Sequence, residues 1–190
     1  MVEVTQEGAD IFSFKLFSAD FCREVVARLA HSPHWADAGV YYHSPRTRAV
    51  PKFRAAKECR LWDFPFLARA YKKFLPSIVY PAVLLAWRRP TDDLSTESIV
   101  VRYDPGGHFD LHYDANAFRP LRLLSLICYF NADFAGGTTR FPRQNVEISP
   151  LAGRAVLFPS GITHPHQAMP VKKGRKYVLT SWLCQRRVRG

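Results

Sequence analysis

From Ser98 onward the chain is cut into four short runs of aliphatic, β-branched and aromatic residues: Ser98 to Tyr103, Leu121 to Phe130, Arg154 to Phe158 and Tyr177 to Leu183. Proline and glycine turns such as Asp104-Pro-Gly-Gly107 and Ala135-Gly-Gly137 separate them. Runs of this length read as strands, and turn residues between them make the strands fold back on one another. The first half has a different texture. Ile11 to Phe17 alternates apolar and polar positions as a half-buried strand does, and Ser18 stands where a helix N-cap belongs. Phe21, Cys22, Val25, Val26 and Leu29 then recur at helical spacing over Ala19 to Ala30, until His31-Ser-Pro33 stops the pattern. A second helical region is expected from Phe64 through Trp87, broken near Pro76 and Pro81 because proline lacks the interior donor and clashes with the preceding turn. Between the two, Tyr42 to Arg60 shows little apolar periodicity and reads as a long Arg/Lys-rich loop or lid. Helices first and short strands afterwards predict an α+β fold, mainly β in its core: a small β-barrel or jelly roll buttressed by N-terminal helices.

With 190 residues, 47% of them apolar and 14% aromatic, the chain can bury one substantial core, and one domain over 1–190 is expected. The four cysteines, Cys22, Cys59, Cys128 and Cys184, lie far apart without a CxxC pair. That spacing argues against a zinc knot or disulfide framework and for a reducing, cytoplasmic setting. Met1 to Asp10 is polar and acidic rather than basic and then apolar, and no apolar run is long enough to span a bilayer, so no secretion signal or membrane partner is expected. Lys plus Arg number 27 against 16 Asp plus Glu, giving a net charge of +11 and a pI near 9.8. Such a field favours an acidic partner: nucleic acid, an acidic protein or a phosphorylated small molecule.

Within the strand-rich half, His112-Tyr-Asp114 puts two metal-competent side chains two residues apart, on one face of an extended strand. A third ligand has to come from elsewhere, and His164 and His166 are the only later histidines. Two histidines and one carboxylate leave part of an iron(II) coordination sphere open, the arrangement that non-haem oxygenases need for co-substrate and oxygen. Spacing alone does not separate such a pair from a hydrogen-bonded surface or core pair. His31, His34 and His43 have no partner motif, and solvent-exposed or capping roles are expected for them.

Tyr103-Asp-Pro-Gly-Gly-His-Phe-Asp-Leu-His112-Tyr-Asp114 is followed by a strand containing Tyr129 and Asn131, then by Gly136-Gly-Thr-Thr139-Arg-Phe-Pro142 and by Pro150-Leu-Ala-Gly153-Arg-Ala-Val-Leu-Phe158. His166-Gln-Ala-Met-Pro170-Val171-Lys-Lys-Gly174-Arg-Lys176-Tyr177 closes the series near Trp182. In order and spacing, this stretch from about Glu97 to Leu183 resembles the prolyl 4-hydroxylase-like branch of the Fe(II)/2-oxoglutarate-dependent dioxygenases.

The resemblance implies a double-stranded β-helix (jelly roll). It divides the chain into 1–96 as helical support and substrate loop, 97–184 as the core with the metal and co-substrate site, and 185–190 as a basic tail. It also implies Fe(II), 2-oxoglutarate and O2, leaves room for ascorbate as a reductant, and makes His112, Asp114 and His166 the catalytic metal ligands. His166 rather than His164 fits the family register, four residues before the Pro-Val pair and ten before the basic anchor; His164 is left for a turn or for supporting the ligand. His108 is a bystander by the same register. Lys176 is then the cation for the far carboxylate of 2-oxoglutarate, and since it alternates with Arg175 along a strand only one of the two points inward. Tyr129 resembles the tyrosine that hydrogen-bonds that carboxylate, and Tyr103 one that lines the pocket, although either also suits plain core filling. Thr139 adds a polar contact, and Trp182 is expected to pack rather than react.

The implied reaction is hydroxylation of a protein side chain, peptide or amino-acid-like molecule with release of succinate and CO2. The substrate is expected to be held largely outside the matching segment. Six basic residues interleaved with aromatics, Arg46 and Arg48 among them, occupy the loop from Tyr41 to Arg60 and suit an acidic, phosphorylated or carrier-bound substrate. Asn116, Phe118 and Arg119, just after the metal motif, are further candidates to face it. Two rival readings stand beside this one: oxidation of nucleic acid, favoured by charge but lacking a base-reading motif, and a catalytically silent jelly roll that senses metal or binds a partner. Retention of all three ligands together with Lys176 speaks against the last. Oligomeric state has no visible signature in the sequence.

Overall fold

The computed structural model of the protein describes residues 2–41 and 47–186, and the side chains of all of these except 41, 47 and 48. The first helix spans Ala19–Ala30, capped as its sequence requires: Ser18 Oγ accepts the Phe21 N–H at 3.2 Å, and the His31 N–H donates to Leu29 O at the other end. Cys22, Val25 and Leu29 form its buried stripe. The second helical region changes pitch rather than breaking. Pro65–Phe74 runs into a π turn at Leu75–Val79 and on into Tyr80–Trp87. Pro76 and Pro81 fall in the first turns of the last two segments, and the wide π turn absorbs the donors they lack.

Two antiparallel sheets form the core. The larger has eight strands in the order Thr5–Gly8, Ile11–Lys15, Arg154–Pro159, Arg122–Tyr129, Lys176–Gln185, Leu94–Tyr103, Lys57–Arg60 and Ala36–Asp37. The smaller has five, in the order Val146–Ile148, Thr139–Phe141, His166–Ala168, His108–His112 and Arg54–Ala55. The chain of the second half crosses repeatedly between the sheets, from Leu94–Tyr103 to His108–His112, to Arg122–Tyr129, to the hairpin of Thr139–Phe141 and Val146–Ile148, to Arg154–Pro159, to His166–Ala168 and to Lys176–Gln185, which is the winding of a jelly roll. Period-two alternation divides each central strand between two apolar layers. Leu124, Leu126, Cys128, Leu157 and Leu179 pack against the helices, while Tyr129, Val156, Phe158 and Val178 point between the sheets with Phe141 and Ile148.

The expectation of a loop or lid over Tyr42 to Arg60 needs correction for its described part. Thr47–Ala49 pairs with Gly39–Tyr41, Arg54–Ala55 joins the edge of the small sheet beside His108–His112, and Lys57–Arg60 joins the large sheet beside Leu94–Tyr103. The strands are short, charged and at or next to sheet edges, which hides them from a search for apolar alternation. Arg54 even occupies an inward position that an apolar residue normally takes. Its charge is met by Glu58 at 3.0 Å and by Gly39 O at 2.7 Å.

Candidate active site

The small sheet sets two histidines face to face. His112, the last residue of His108–His112, is the direct partner of His166, the first residue of His166–Ala168, and their rings lie 4.4 Å apart. Asp114 follows just past the strand end, with one carboxylate oxygen 3.7 Å from His112 Nε2 and the other 3.6 Å from His166 Nε2. One ligand atom from each of the three residues lies within 4.8 Å of the others. Each ring is oriented from behind: His112 Nδ1 bonds Asp110 O at 2.7 Å and His166 Nδ1 bonds His164 O at 3.1 Å. A carbonyl only accepts, so both Nδ1 atoms carry the proton and both Nε2 lone pairs face the site, as metal ligation requires. Burial first, and then the neighbouring His166, pushes the His112 imidazole down to about 3, so it stays unprotonated and available. At Asp114 burial works upward, but the two imidazoles and a hydrogen bond from Ser125 outweigh it and hold the carboxyl below its ordinary value.

A cavity of about 810 Å³ opens over these residues, and Lys176 lies deeper within it. The Lys176 ammonium is 2% exposed, donates to Gly137 O at 2.8 Å and sits 5.1 and 5.3 Å from the rings of Tyr103 and Tyr129. Among the described residues no carboxylate pairs with it, and burial pushes it down to about 7. A buried cation in this condition calls for an anion from outside the chain. Thr139 lies on the cavity wall, and Tyr129, buried behind it, donates to Thr139 Oγ1 at 2.7 Å.

A nitrogen-and-carboxylate metal cluster with a lone buried cation in one cavity is what iron and a dicarboxylate co-substrate need, and residues 98–184 match the family model for the 2OG-Fe(II) oxygenase superfamily. The part of the chain that builds the cavity is thus similar to a 2OG-Fe(II) oxygenase domain. Human procollagen-lysine,2-oxoglutarate 5-dioxygenase 2 is 28% identical over 184 residues, which covers 95% of this chain but only 24% of that protein. The chain thus spans about a quarter of the curated relatives it matches. Two solved structures share the fold. A Trichoplax adhaerens prolyl hydroxylase in complex with a hypoxia inducible factor peptide superposes with a TM-score of 0.74 at 20% identity, over 93% of this chain and 84% of that one. A Pseudomonas putida prolyl-4-hydroxylase gives 0.71 at 22% identity, over 94% of each chain.

The structure brings His112, Asp114, His166, Lys176, Tyr103 and Thr139 together around one cavity, and Tyr129 is buried behind its wall with its ring 5.3 Å from the Lys176 ammonium. Asn116 and Arg119 lie at its mouth, in a turn where Asn116 Oδ1 accepts the N–H groups of Phe118 and Arg119. Arg46 and His43 lie outside the described residues, and of Arg48 only the backbone, in Thr47–Ala49, is described. Trp182 packs as expected, beneath the Arg122 guanidinium at 3.5 Å, yet it also lines the cavity. His164 supports the site, holding His166 through its carbonyl and Ala9 O through its ring. His108 bonds Gly106 O and Lys52 O and takes no part. Three residues were not singled out by sequence: Arg54, whose guanidinium lies 4.8 Å from the Phe109 ring that stacks on His112, and Ser125 and Ser160, buried behind Asp114. No sequence pattern marks a lone serine in an apolar strand, but the inward position of Ser125 between Leu124 and Leu126 is itself the available signal.

Proposed function

We propose that this chain is an oxygenase that hydroxylates a protein or peptide side chain, with 2-oxoglutarate converted to succinate and CO2. The observation that carries the reading is Lys176, buried with no carboxylate partner among the described residues, in the cavity that holds His112, Asp114 and His166. Those three residues would hold Fe(II), which supplies the activation of O2. Lys176, assisted by Tyr129 and Thr139, would bind the far carboxylate of 2-oxoglutarate. The depth of Lys176 in the cavity fixes which end of the co-substrate reaches the metal centre, and the apolar walls keep bulk water from it.

A polypeptide substrate is supported by the mouth of the cavity. Trp62, Leu111, Tyr113 and Phe118 are four of the exposed large apolar side chains of the described structure, and all four line this mouth. Exposed apolar groups gathered at one opening suit a ligand longer than 2-oxoglutarate alone. Prolyl and lysyl side chains are the targets named for its relatives and neighbours, and the net charge of +11 supports an acidic sequence around the target. The extents of the functional segments within 1–190 belong to this proposal. So does a reducing, cytoplasmic setting, which the four free and buried cysteines support.

The test supplies Fe(II), 2-oxoglutarate and O2 with proline- and lysine-centred peptides, bearing acidic or neutral flanks, and follows succinate together with a gain of one oxygen atom in the peptide. Succinate formation that rises with one peptide class and matches its oxygen gain is the expected result. Succinate that no peptide stimulates, but that rises with oligonucleotides and falls with added salt, would move the assignment to nucleic acid.

A further inference from the structure

Behind the metal-binding cluster lies a second, fully buried polar group that the reaction itself does not call for. Ser125 Oγ donates to Asp114 Oδ2 at 2.6 Å and lies 2.8 Å from Ser160 Oγ. Ser125 is 0% and Ser160 1% exposed, so neither hydroxyl has water to fall back on. A serine hydroxyl has a single proton. That of Ser125 is committed to the carboxylate, which only accepts, so in the Ser125–Ser160 contact Ser160 must be the donor. The proton order is therefore fixed: Ser160 to Ser125 to Asp114. Donation into Ser125 polarises its O–H and strengthens the bond it makes in turn.

The backbone of Ser160 holds the same site by a separate route. Its carbonyl accepts the N–H groups of Asp114 at 3.0 Å and Ala115 at 2.8 Å, and its own N–H donates to Leu123 O at 2.9 Å. Main chain and side chain of Asp114 are thus both tied to the seam between the strand Arg122–Tyr129 and the segment that follows Arg154–Pro159. Immediately beyond Ala115 the chain becomes the rim that carries Asn116, Phe118 and Arg119.

We propose that Ser125 and Ser160 are positioning residues, a two-hydroxyl relay that engages one oxygen of Asp114, fixes the rotation of its carboxylate toward the metal, and isolates the ligand from movement of the substrate rim. Ser125 acts directly and Ser160 through it. The relay rests on the metal-binding cluster alone and not on the substrate class, so it survives or fails independently of the peptide reading.

The test titrates Co(II) into the apo-protein and into Ser125→Ala, Ser160→Ala and Ser125→Thr, following the visible d–d bands, with the melting temperature of each apo-protein alongside. Loss of a group that orients a ligand typically weakens metal binding about 10- to 100-fold. Ser125→Ala is expected to weaken Co(II) binding within that range and to alter the band pattern. Ser160→Ala, which leaves the direct bond in place, should weaken it by only a few-fold, and Ser125→Thr should recover the wild-type spectrum because it restores a hydroxyl. Wild-type affinity and bands in Ser125→Ala, whatever its melting temperature, would show the serines to be core filling and overturn the proposal. If Ser125→Ala does not fold, Ser160→Ala decides: unchanged Co(II) affinity and spectrum there overturn the relay, and a few-fold loss with shifted bands supports it.

Discussion

His112 and His166 are direct cross-strand partners, so the antiparallel register of the small sheet, rather than any loop, sets the 4.4 Å between their rings. Strand pairing thus sets two of the three residues of the cluster, and Asp114 completes the set from beyond the strand end.

Asp114→Ala should leave the paired imidazoles intact and remove most of the metal affinity. Mn(II) at about 100 times its dissociation constant stabilises a protein that binds it only when folded by about 2.7 kcal/mol. The wild type should show a corresponding rise in melting temperature that EDTA reverses. The Asp114→Ala protein should show little or none at the same concentration, and an equal rise in both would mean that the metal sits elsewhere.

Lys176 gives the site a pH signature whose sign is fixed by its burial. Its ammonium is pushed down to about 7 from an ordinary value of 10.5, so between those values the unfolded chain binds more protons than the folded one. Stability of the apo-protein should then rise with pH across that window, and Lys176→Met should flatten the rise. A carboxylate placed beside Lys176 returns the proton. Binding of 2-oxoglutarate to the Mn(II)-loaded protein at pH 8 should therefore take up a proton, read as a dependence of calorimetric heat on the ionisation enthalpy of the buffer. Absence of uptake would place the co-substrate carboxylate away from Lys176.

Gly153 joins the two layers at a point where no side chain fits. Its φ is +83°, and a Cβ there would stand 2.0 Å from Phe17 O. Its carbonyl also accepts the N–H of Leu16, and its N–H donates to Tyr129 O. Gly153→Ala should cost more than about 2 kcal/mol, combining backbone strain with displacement of the chain at Phe17. Denaturant unfolding measures it, and a loss under about 0.5 kcal/mol would show that the turn relaxes freely.

Ser18→Ala removes one side-chain cap and nothing from the cavity. A loss of about 1 kcal/mol is expected in denaturant unfolding, with metal affinity unchanged. A change in metal affinity would reveal coupling between the helical layer and the site.

The sequence showed the helix Ala19–Ala30 with its cap and the central strands of the large sheet, because burial on a regular period leaves a regular apolar trace, whereas His112, Asp114, His166 and Lys176 were linked only by the family resemblance of their order and spacing. The small sheet was much less legible. His108–His112, Thr139–Phe141 and His166–Ala168 are three to five residues long and, apart from Phe141, give inward positions such as His112, Thr139 and His166 to ligands and polar groups, so the apolar alternation that marks a strand is thinned where the function lies. Arg54 illustrates the same conflict, as an inward charge whose partner Glu58 stands on a different sheet. The hydroxyls of Ser125 and Ser160 bond each other and, through Ser125, Asp114, a relation between distant segments that no local pattern records.

Residues 36–60 give two strands, Ala36–Asp37 and Lys57–Arg60, to one end of the large sheet and one, Arg54–Ala55, to the edge of the small sheet, and Gly39–Tyr41, paired with Thr47–Ala49 between these anchors, adds Gly39 and Val40 to the mouth of the cavity. A segment stitched down at both roots behaves as an exchangeable cassette. Its middle can be rewritten, lengthened or traded with that of another enzyme of this fold, while the stitches keep the metal floor in register. Selectivity for the target can then drift quickly in evolution, or be transplanted by design, over chemistry that stays fixed beneath it.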